Sequence, residues 1–285
     1  MSPAVARRMW TVFEPVHAVA YFAADMRAAF ESAGVRGFWR FYFASRAAPL
    51  GASAPTVAQA TFFGFAPSMV TRAIPSVWAL IEPATAWRLR STTAAGVLRS
   101  SDALPDDATL RRLNELLAEV VGRLDPAGRV LFAAHAALDW PDDPAERLWH
   151  ACTLLREHRG DGYTASAVSE GAGPLDVLVI ADRLSLAPRG HALDNRGWTP
   201  DEWEVAVGDL QRRGVLDDDG RLTAAGVAVR NRIEARTDRA AGSPWQTLGD
   251  DDLTFAFETL RHVTTRVVAA GLLTYPNAVG VPPPS

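Results

Sequence analysis

Residues 214–227 have the sequence GVLDDDGRLTAAGV, in which Val-Leu, an aspartate-rich turn and Arg-Leu-Thr lead into Ala-Ala-Gly-Val. The last five residues, TAAGV, occur a second time at residues 93–97. Other matches follow in the same order and at a similar separation: HA at 17–18 and 150–151, and GFAP at 64–67 with GWTP at 197–200. An ordered series of this kind indicates a diverged internal duplication, because a repeated unit keeps its order while its loops change length.

Apolar residues recur at helical spacing through most of the chain, which predicts a mainly α-helical fold. The first helix is expected to begin at Pro15, a residue that suits the first helical position, and to end before Gly34. Residues 215–223 are the exception, since Val215-Leu216 and Arg221-Leu222-Thr223 on either side of an Asp-Asp-Asp-Gly turn predict a β-hairpin. The predicted helices cover residues 15–33, 37–47, 56–63, 67–81, 107–124, 145–158, 200–213, 224–239 and 251–272.

The predicted elements fall into two modules. The first covers residues 1–124, where the counterpart of the hairpin (the wing) is degenerate and not recognisable. The second covers residues 145–272 and ends in a long helix. Residues 125–144, which include several prolines, are expected to connect them, and the end of the chain at 273–285 is expected to be a poorly ordered tail. At 285 residues, the chain is long enough for two domains with a core each.

The composition is that of a soluble globular protein, with 48% apolar and 22% charged residues. No apolar run has the length of a membrane span, and the N-terminus lacks the apolar region of a signal peptide, so we expect a cytoplasmic protein without a membrane partner. The one cysteine, Cys152, excludes an intramolecular disulfide and a Cys-rich zinc site. A net charge of −4 disfavours a surface that displaces counterions from DNA.

Residues 200–230 resemble the recognition helix and wing of MarR-type winged-helix proteins, with a helix, a short hairpin and then Leu-Thr-x-x-Gly entering another helix. The chain also resembles an actinobacterial family of tandem helix-turn-helix-like proteins, at EPVH (14–17), REHRGDG (156–162) and EARTD (234–238). MarR-type proteins are homodimers held by their terminal helices. The resemblance therefore implies a mainly α, tandem winged-helix pseudo-dimer within one chain, with a small β-hairpin wing in the second half. Such a chain could act as a monomer.

The predicted recognition helix departs from the DNA-binding pattern of the MarR family. It carries Asp201, Glu202, Glu204 and Asp209. Base contacts in such motifs come mostly from the N-terminal part of the helix, where these carboxylates would face phosphates. We therefore do not expect a nucleic-acid partner. A MarR-like transcription regulator that binds DNA stays as the alternative, and a protein-interaction module is a third.

MarR-type scaffolds commonly hold small aromatic ligands in a crevice between the dimerisation helices and the winged module. The resemblance implies that this chain keeps the crevice and is a small-molecule-binding protein. An enzyme of specialised metabolism is one form that such a protein could take. The ligand is expected to be apolar or aromatic with a carboxylate, which Arg156 or Arg159 could hold with two hydrogen bonds. His158 is the candidate catalytic residue, as a group that moves a proton. The candidate ligand-binding residues are His17, Tyr21, Tyr42, His150, Arg156, His158 and Arg159.

Glu14 and His17 lie three residues apart and share a helix face, and His150 is the repeat equivalent of His17. These residues could ligate a first-row metal, and two histidines could ligate haem. The alternative is that each histidine is a hydrogen-bonded residue of a helix interface. The sequence requires no cofactor. The polar run at 156–162 also has an ordinary alternative, a solvated helix end with one of its glycines as the cap.

Overall fold

The computed structural model describes residues 3–273. This part of the chain contains fourteen α-helices and no β-strand, so the prediction of a mainly α-helical fold is confirmed. None of these helices is both long and apolar enough to cross a membrane. Short 3-10 helices lie at Ala48–Leu50, Ser76–Ala79 and Ser243–Thr247. The α-helices are α1 (Pro3–Phe22), α2 (Ala24–Ser32), α3 (Phe38–Ala47), α4 (Pro55–Thr61), α5 (Pro67–Thr71), α6 (Pro83–Ser100), α7 (Asp107–Val121), α8 (Val130–Ala136), α9 (Pro144–Ser169), α10 (Pro174–Arg183), α11 (Arg189–Arg196), α12 (Pro200–Arg212), α13 (Ala224–Gly242) and α14 (Asp250–Ala269).

The fold is built around α9, which is surrounded by α1, α6, α7, α8 and α13. The helix begins where the Asp143 side chain accepts hydrogen bonds from the backbone N–H groups of Ala145 and Glu146. Residues on every side of α9 are buried, among them Trp149 and Cys152. A helix that is buried all round is typical of the centre of a helical protein. Many polar side chains of α9 therefore face other helices rather than solvent.

The main hydrophobic core takes residues from both predicted modules, for example Val16 and Phe43 from the first and Leu154 and Phe257 from the second. The predicted connection between the modules contains α8, which packs on α9. Within the described residues the two modules share this core, and their division at 125–144 stays a prediction. Of the predicted tail only Leu273 is described, and it is buried in the core; residues 274–285 lie outside the described chain.

A second, smaller core lies beneath α10, α11 and α12 and includes Ile180, Trp203 and Leu210. Here α12 begins with a capping box, in which Thr199 and Glu202 exchange hydrogen bonds between side chain and backbone. We call residues 174–223 the small module. It carries the predicted recognition helix, α12.

The predicted β-hairpin of the small module is present in the described chain as an isolated antiparallel bridge between Leu216 and Leu222. The chain then enters α13 through Gly226, where a Cβ atom would lie 2.3 Å from Val215 O. Only glycine allows so close an approach, so the Leu-Thr-Ala-Ala-Gly motif packs the start of α13 against the bridge. A wing of two strands is not confirmed.

Two predicted helices in the first half differ from the observed ones. The helix expected at 15–33 is two helices, and α1 begins at Pro3, so Pro15 lies inside it rather than at its start. Proline removes one backbone hydrogen bond within a helix, but Val16 and Val19 on the next turn are fully buried and hold α1 in place. The helix expected at 67–81 is shorter because α5 ends at Thr71 and a 3-10 helix follows.

The end of α9 also differs from the prediction. The helix continues through Gly160 and Gly162 to Ser169, so neither glycine is a helix cap. A glycine inside a helix is unfavourable because it loses more backbone freedom than other residues. At Gly162 the missing side chain has a packing reason, since a Cβ atom there would lie 2.5 Å from Arg129 Nη1.

Candidate functional site

Four helices place five charged side chains in one buried region between them. Helix α1 contributes Glu14, α3 contributes Arg46, α6 contributes Arg90, and α9 contributes Arg156 and Glu157. We call these five residues the buried charge cluster. Arg90 has no exposed surface, and the Arg156 side chain is only 15% exposed. Because a buried charge is costly unless it is paired, the pairing of each residue decides what the cluster can do.

Two of the arginines balance the two glutamates. Glu157 accepts hydrogen bonds from Arg46 Nη2 at 3.2 Å and from Arg156 Nη1 at 2.6 Å, and Arg156 Nε donates to Glu14 Oε1 at 3.3 Å. Burial by itself would raise the pKa of Glu157, but the charges of Arg156 and Arg46 hold that pKa well below its usual value. Burial raises the pKa of Glu14 against the opposing charge of Arg156. With both glutamates ionised, these four residues form a neutral network centred on Glu157.

Arg90 is the charge in excess. Its Nη1 donates to Ser45 O at 3.4 Å, and its guanidinium lies 5.4 and 5.1 Å from the ring centroids of Tyr21 and Trp149. Burial lowers the pKa of Arg90, and the Tyr21 hydroxyl, which lies within hydrogen-bonding reach of the guanidinium, acts against that lowering. Nevertheless, neither Nε nor Nη2 has a partner in hydrogen-bonding geometry among the residues that the structure describes. Arginine stays protonated in proteins, so the cluster holds three cations against two carboxylates.

His17 borders the cluster as a neutral residue with a fixed tautomer. Thr153 Oγ1 donates to Trp149 O at 2.9 Å and can therefore only accept from His17 Nδ1, which lies 2.9 Å away. His17 Nε2 is then the acceptor for the Tyr21 hydroxyl at 2.7 Å. Burial, together with the charge of Arg90, lowers the pKa of His17 well below its usual value. The ring thus orients Tyr21 without adding a charge.

Tyr42 lies on the side of the cluster that faces the small module. Its hydroxyl accepts from Arg46 Nη1 at 3.1 Å, and its ring lies 5.3 Å from Tyr21 and 5.5 Å from Phe65 between centroids. Burial would raise the pKa of Tyr42, but the charges of Arg46 and Arg196 outweigh it and lower that pKa. Tyr42 and Tyr21 therefore present two aromatic faces and two polar hydroxyls beside the arginines.

The small module touches this wall of the cluster through the two repeated motifs GFAP and GWTP. Ala66 N donates to Arg196 O at 2.8 Å, and Trp198 Nε1 donates to Gly64 O at 3.1 Å. The Arg196 guanidinium lies 4.3 Å from the centroid of the Phe65 ring. The connection between α11 and α12 is thus in contact with residues that border the cluster.

The structure brings together five of the residues that the sequence analysis singled out. Glu14, His17, Tyr21, Tyr42 and Arg156 all belong to the cluster or border it. They come from three separate helices, and the contacts between those helices, rather than the sequence spacing, unite them.

The other three predicted ligand residues lie elsewhere. His150 is packed between Trp87 and Trp140, with centroid distances of 5.5 and 5.2 Å, and burial lowers its pKa to about 3. His158 packs against the Phe132 ring, and burial also lowers its pKa to about 3, so it is neutral. Arg159 pairs with Asp238 of α13 at 2.8 Å. The side-chain contacts described for these three residues are with residues outside the cluster, and neither ring nitrogen of His150 has a hydrogen-bond partner among the described residues.

The proposed metal ligands are not assembled into a site. Among residues 3–273, no group of three or more His, Cys, Asp and Glu side chains is placed to hold a metal ion. Both nitrogens of His17 are engaged by Tyr21 and Thr153. Its ring stacks on Trp149, and Trp149 contacts Trp87, which in turn packs against His150. Glu14 is held by Arg156 instead.

Two members of the cluster, Arg46 and Arg90, were missed by the sequence analysis. Each is an arginine on a helix face whose other residues are small or apolar, such as Ala86 and Ala94 one turn to either side of Arg90. A charged residue within an apolar stripe is the signal that could have identified them. The partners of these arginines come from other helices and could not be read from that signal.

A sequence profile described as a helix-turn-helix family matches residues 6–274, nearly the whole chain. The chain belongs to this helix-turn-helix family. No curated protein and no solved structure shows significant similarity to this chain. The family agrees with the mainly helical fold and carries no statement about ligand or activity.

The small module, which carries the predicted recognition helix, pairs most of its arginines with its own carboxylates. On α12, Asp201, Glu202 and Glu204 are exposed. The neighbouring arginines are paired within the protein, Arg212 with Asp209, Arg213 with Asp176, Arg189 with Glu204, and Arg221 with Asp219. An approaching DNA backbone would therefore meet carboxylates and arginines that already have anionic partners.

Proposed function

We propose that this helix-turn-helix family protein binds a small organic anion, a carboxylate on an apolar or aromatic body, at the buried charge cluster. The observation that carries the proposal is Arg90, a fully buried guanidinium whose Nε and Nη2 have no hydrogen-bond partner among the described residues. A buried cation of this kind is unfavourable in the free protein and becomes favourable when an anion pairs with it.

The unpartnered atoms of Arg90 have the geometry that a carboxylate needs. Nε and Nη2 lie on one edge of the planar guanidinium and donate in parallel, which matches the two oxygens of a carboxylate. A bound monoanion would bring the cluster to three positive and three negative charges. The charge count therefore favours a monocarboxylate.

The surroundings of Arg90 favour an apolar or aromatic body for this ligand. The rings of Tyr21, Tyr42 and Trp149 are all buried and lie beside the arginines. The hydroxyls of Tyr21 and Tyr42 can direct a polar substituent, while the faces of all three rings offer apolar contact. We propose ligand binding as the function, because His158, the predicted proton-transfer residue, lies outside the cluster. Catalysis as an enzyme of specialised metabolism would be an extension of that function. No cofactor enters this proposal.

We infer further that the scaffold is a MarR-like pseudo-dimer of residues 1–124 and 145–272, with the Leu216–Leu222 bridge as its reduced wing, in a cytoplasmic protein. The helix contacts support the duplication because they are nearly symmetric when α1 is exchanged with α9. Helix α7 packs on α9 as α14 packs on α1, and α6 and α13 each pack on both α1 and α9. The GFAP and GWTP motifs also contact each other across the same arrangement.

Titration with benzoate tests the proposal. Benzoate should quench or shift the tryptophan fluorescence of the wild type, because Trp149 lies against Arg90. Arg90→Met should abolish the saturable change, while Arg88→Met, a loss of the same charge at an exposed position of α6, should preserve it. Equal binding by the wild type and Arg90→Met would reject the site, and an absence of binding across a panel of benzoate, phenylacetate and aliphatic carboxylates would reject the ligand class.

A DNA-binding regulator is the second candidate, and membership of a helix-turn-helix family favours it. The exposed carboxylates of α12 oppose it. A gel shift at low salt against genomic fragments separates the two functions. Sequence-specific retention that is lost when Arg212 and Arg213 are replaced would favour the regulator, with the anion as its effector.

A further inference from the structure

A cleft of about 340 Å³ lies beside the C-terminal half of α9. Its walls are the connection between α7 and α8, the C-terminal half of α9, and α13. The volume is in the range of small-ligand sites. The polar and space-making residues of its lining are Arg129, Asp161, Gly162, Ser166, Ser169 and Arg236.

Arg129 is seated on α9 because residue 162 has no side chain. A Cβ atom at Gly162 would lie 2.5 Å from Arg129 Nη1, and this nitrogen donates to His158 O in the helix backbone. The remaining nitrogens of Arg129 make no hydrogen bond to the described residues. The REHRGDG run thus uses its second glycine to place a half-buried guanidinium at the edge of the cleft.

Arg236 approaches the cleft from α13. Its Nη1 donates to Ser169 Oγ at 2.7 Å and pairs with Glu170 Oε1 at 2.8 Å, which fixes the position of the guanidinium. Glu170 also pairs with Arg232 at 2.8 Å, so two arginines share one carboxylate. Part of the positive charge of Arg236 is therefore left for the cleft.

Asp161 is the carboxylate of the cleft, and it is committed to the fold. Its Oδ2 accepts from the backbone N–H of Phe132 at 2.9 Å, at the start of α8, and it lies close to Arg129. The lining therefore combines two guanidinium groups on different walls with one carboxylate that already has a donor. The hydroxyls of Ser166 and Ser169 donate to backbone carbonyls of α9, so the guanidinium groups are the donors that the cleft offers.

We propose that this cleft is a second ligand site, which holds a phosphate group between Arg129 and Arg236. Two guanidinium groups on different walls can each donate to separate oxygens of a tetrahedral oxyanion, which a planar carboxylate satisfies less well. The volume exceeds that of a bare phosphate, so a small phosphate ester fits the same site. The site uses none of the five residues of the buried charge cluster, although Asp161 lies one helical turn after Glu157 and interacts with the charges of Glu157 and Arg46.

A ³¹P NMR titration of the full chain with inorganic phosphate tests this site. We expect saturable broadening for the wild type, and an affinity weaker by about tenfold or more in Arg236→Gln, since a charge-assisted contact is lost. Arg239→Gln, the loss of an exposed charge on the same helix, is the matched control and should bind as the wild type does.

Gly162→Ala tests the site without a change of charge. The added methyl should displace Arg129 and weaken phosphate binding, whereas Gly160→Ala, where the nearest side-chain atom is 3.6 Å away, should not. Circular dichroism of both variants reports whether the fold is kept. Equal affinity in all of these proteins, or no saturation in the wild type, overturns the proposal.

A parallel titration with glycerol 1-phosphate separates the two sources of a phosphate group. Tighter binding of the ester than of inorganic phosphate, with the same dependence on Arg236, supports the site and identifies a phosphorylated metabolite as its ligand. Equal binding with that dependence supports the site for free phosphate.

Discussion

Replacement of Arg90 by methionine should stabilise the free protein, which is an unusual result for a change at a fully buried position. The wild-type cluster contains Arg46, Arg90 and Arg156 against Glu14 and Glu157, so the substitution leaves two cations and two carboxylates. Methionine has a comparable length and a flexible apolar side chain that packs well against aromatic rings.

The size of the effect follows from the contacts of Arg90. Its two unpartnered donors are each destabilising by about 1–3 kcal/mol in a buried site. Against this, the contacts of its guanidinium with the Tyr21 and Trp149 rings contribute about 1–2 kcal/mol each. The hydrogen bond to Ser45 O is long and contributes little. We expect Arg90→Met to raise the free energy of unfolding by about 1 kcal/mol, at the low end of the gains seen when buried charges are replaced by apolar residues.

Urea unfolding of dialysed protein, followed by tryptophan fluorescence, measures this change. Arg88→Met, on the exposed face of the same helix, should change the free energy of unfolding by less than about 0.5 kcal/mol. With benzoate present the order should reverse, because a ligand stabilises only the protein that binds it. If the free energy of unfolding of the free Arg90→Met protein falls by about 2 kcal/mol or more, Arg90 is a satisfied structural residue and does not destabilise the free protein.

Three other outcomes test the electrostatics of the fold. Glu157→Gln should destabilise the protein by about 3–5 kcal/mol in the same urea assay, because Arg46 and Arg156 lose their shared carboxylate; a loss below about 1 kcal/mol would contradict the pairing. The free energy of unfolding should fall as the pH drops below about 6.5. Buried histidines with lowered pKa values are neutral in the folded state, and each takes up a proton on unfolding. Each such histidine lowers the free energy of unfolding by about 1.4 kcal/mol per pH unit. These histidines are His17, His135, His150 and His158. Asp161 acts in the opposite direction, since burial raises its pKa to about 6 and the folded state takes up its proton first; thermal unfolding between pH 7 and 5 measures the balance, and a flat profile would contradict it. Finally, the exposed carboxylates of α12 should prevent sequence-specific retention of DNA in a gel shift at low salt.

The helical part of the fold could be predicted because its signals are local. Helix α7 shows this best: the helix predicted at 107–124 starts at Asp107 as expected, where the Asp106 side chain caps it, and ends three residues earlier than predicted, at Val121. The start of α1 could not be found in the same way, because Pro15 resembles a helix start and is kept inside the helix by the burial of its neighbours. The end of α9 was missed because Gly162 serves a contact with Arg129, 33 residues earlier in the chain.

The candidate site shows the same limit. The chemistry of individual residues could be inferred, since Glu14, His17 and Arg156 were recognised as polar groups on helices that meet. Their grouping depends on which helix packs against which, and the pairing of His17 with His150 by repeat symmetry led to a metal site that is not assembled. The excess charge at Arg90 could not be recognised at all without a count of the buried cations and carboxylates around it.

Native mass spectrometry of the purified protein, beside its denatured mass, shows whether Arg90 holds an anion. We expect a wild-type protein that carries an organic anion, or takes one up when benzoate is added, and an Arg90→Met protein that has the bare polypeptide mass under the same conditions. An anion retained equally by both proteins, or a wild type that stays bare at every benzoate concentration, would contradict the claim that the excess charge of Arg90 is a ligand site.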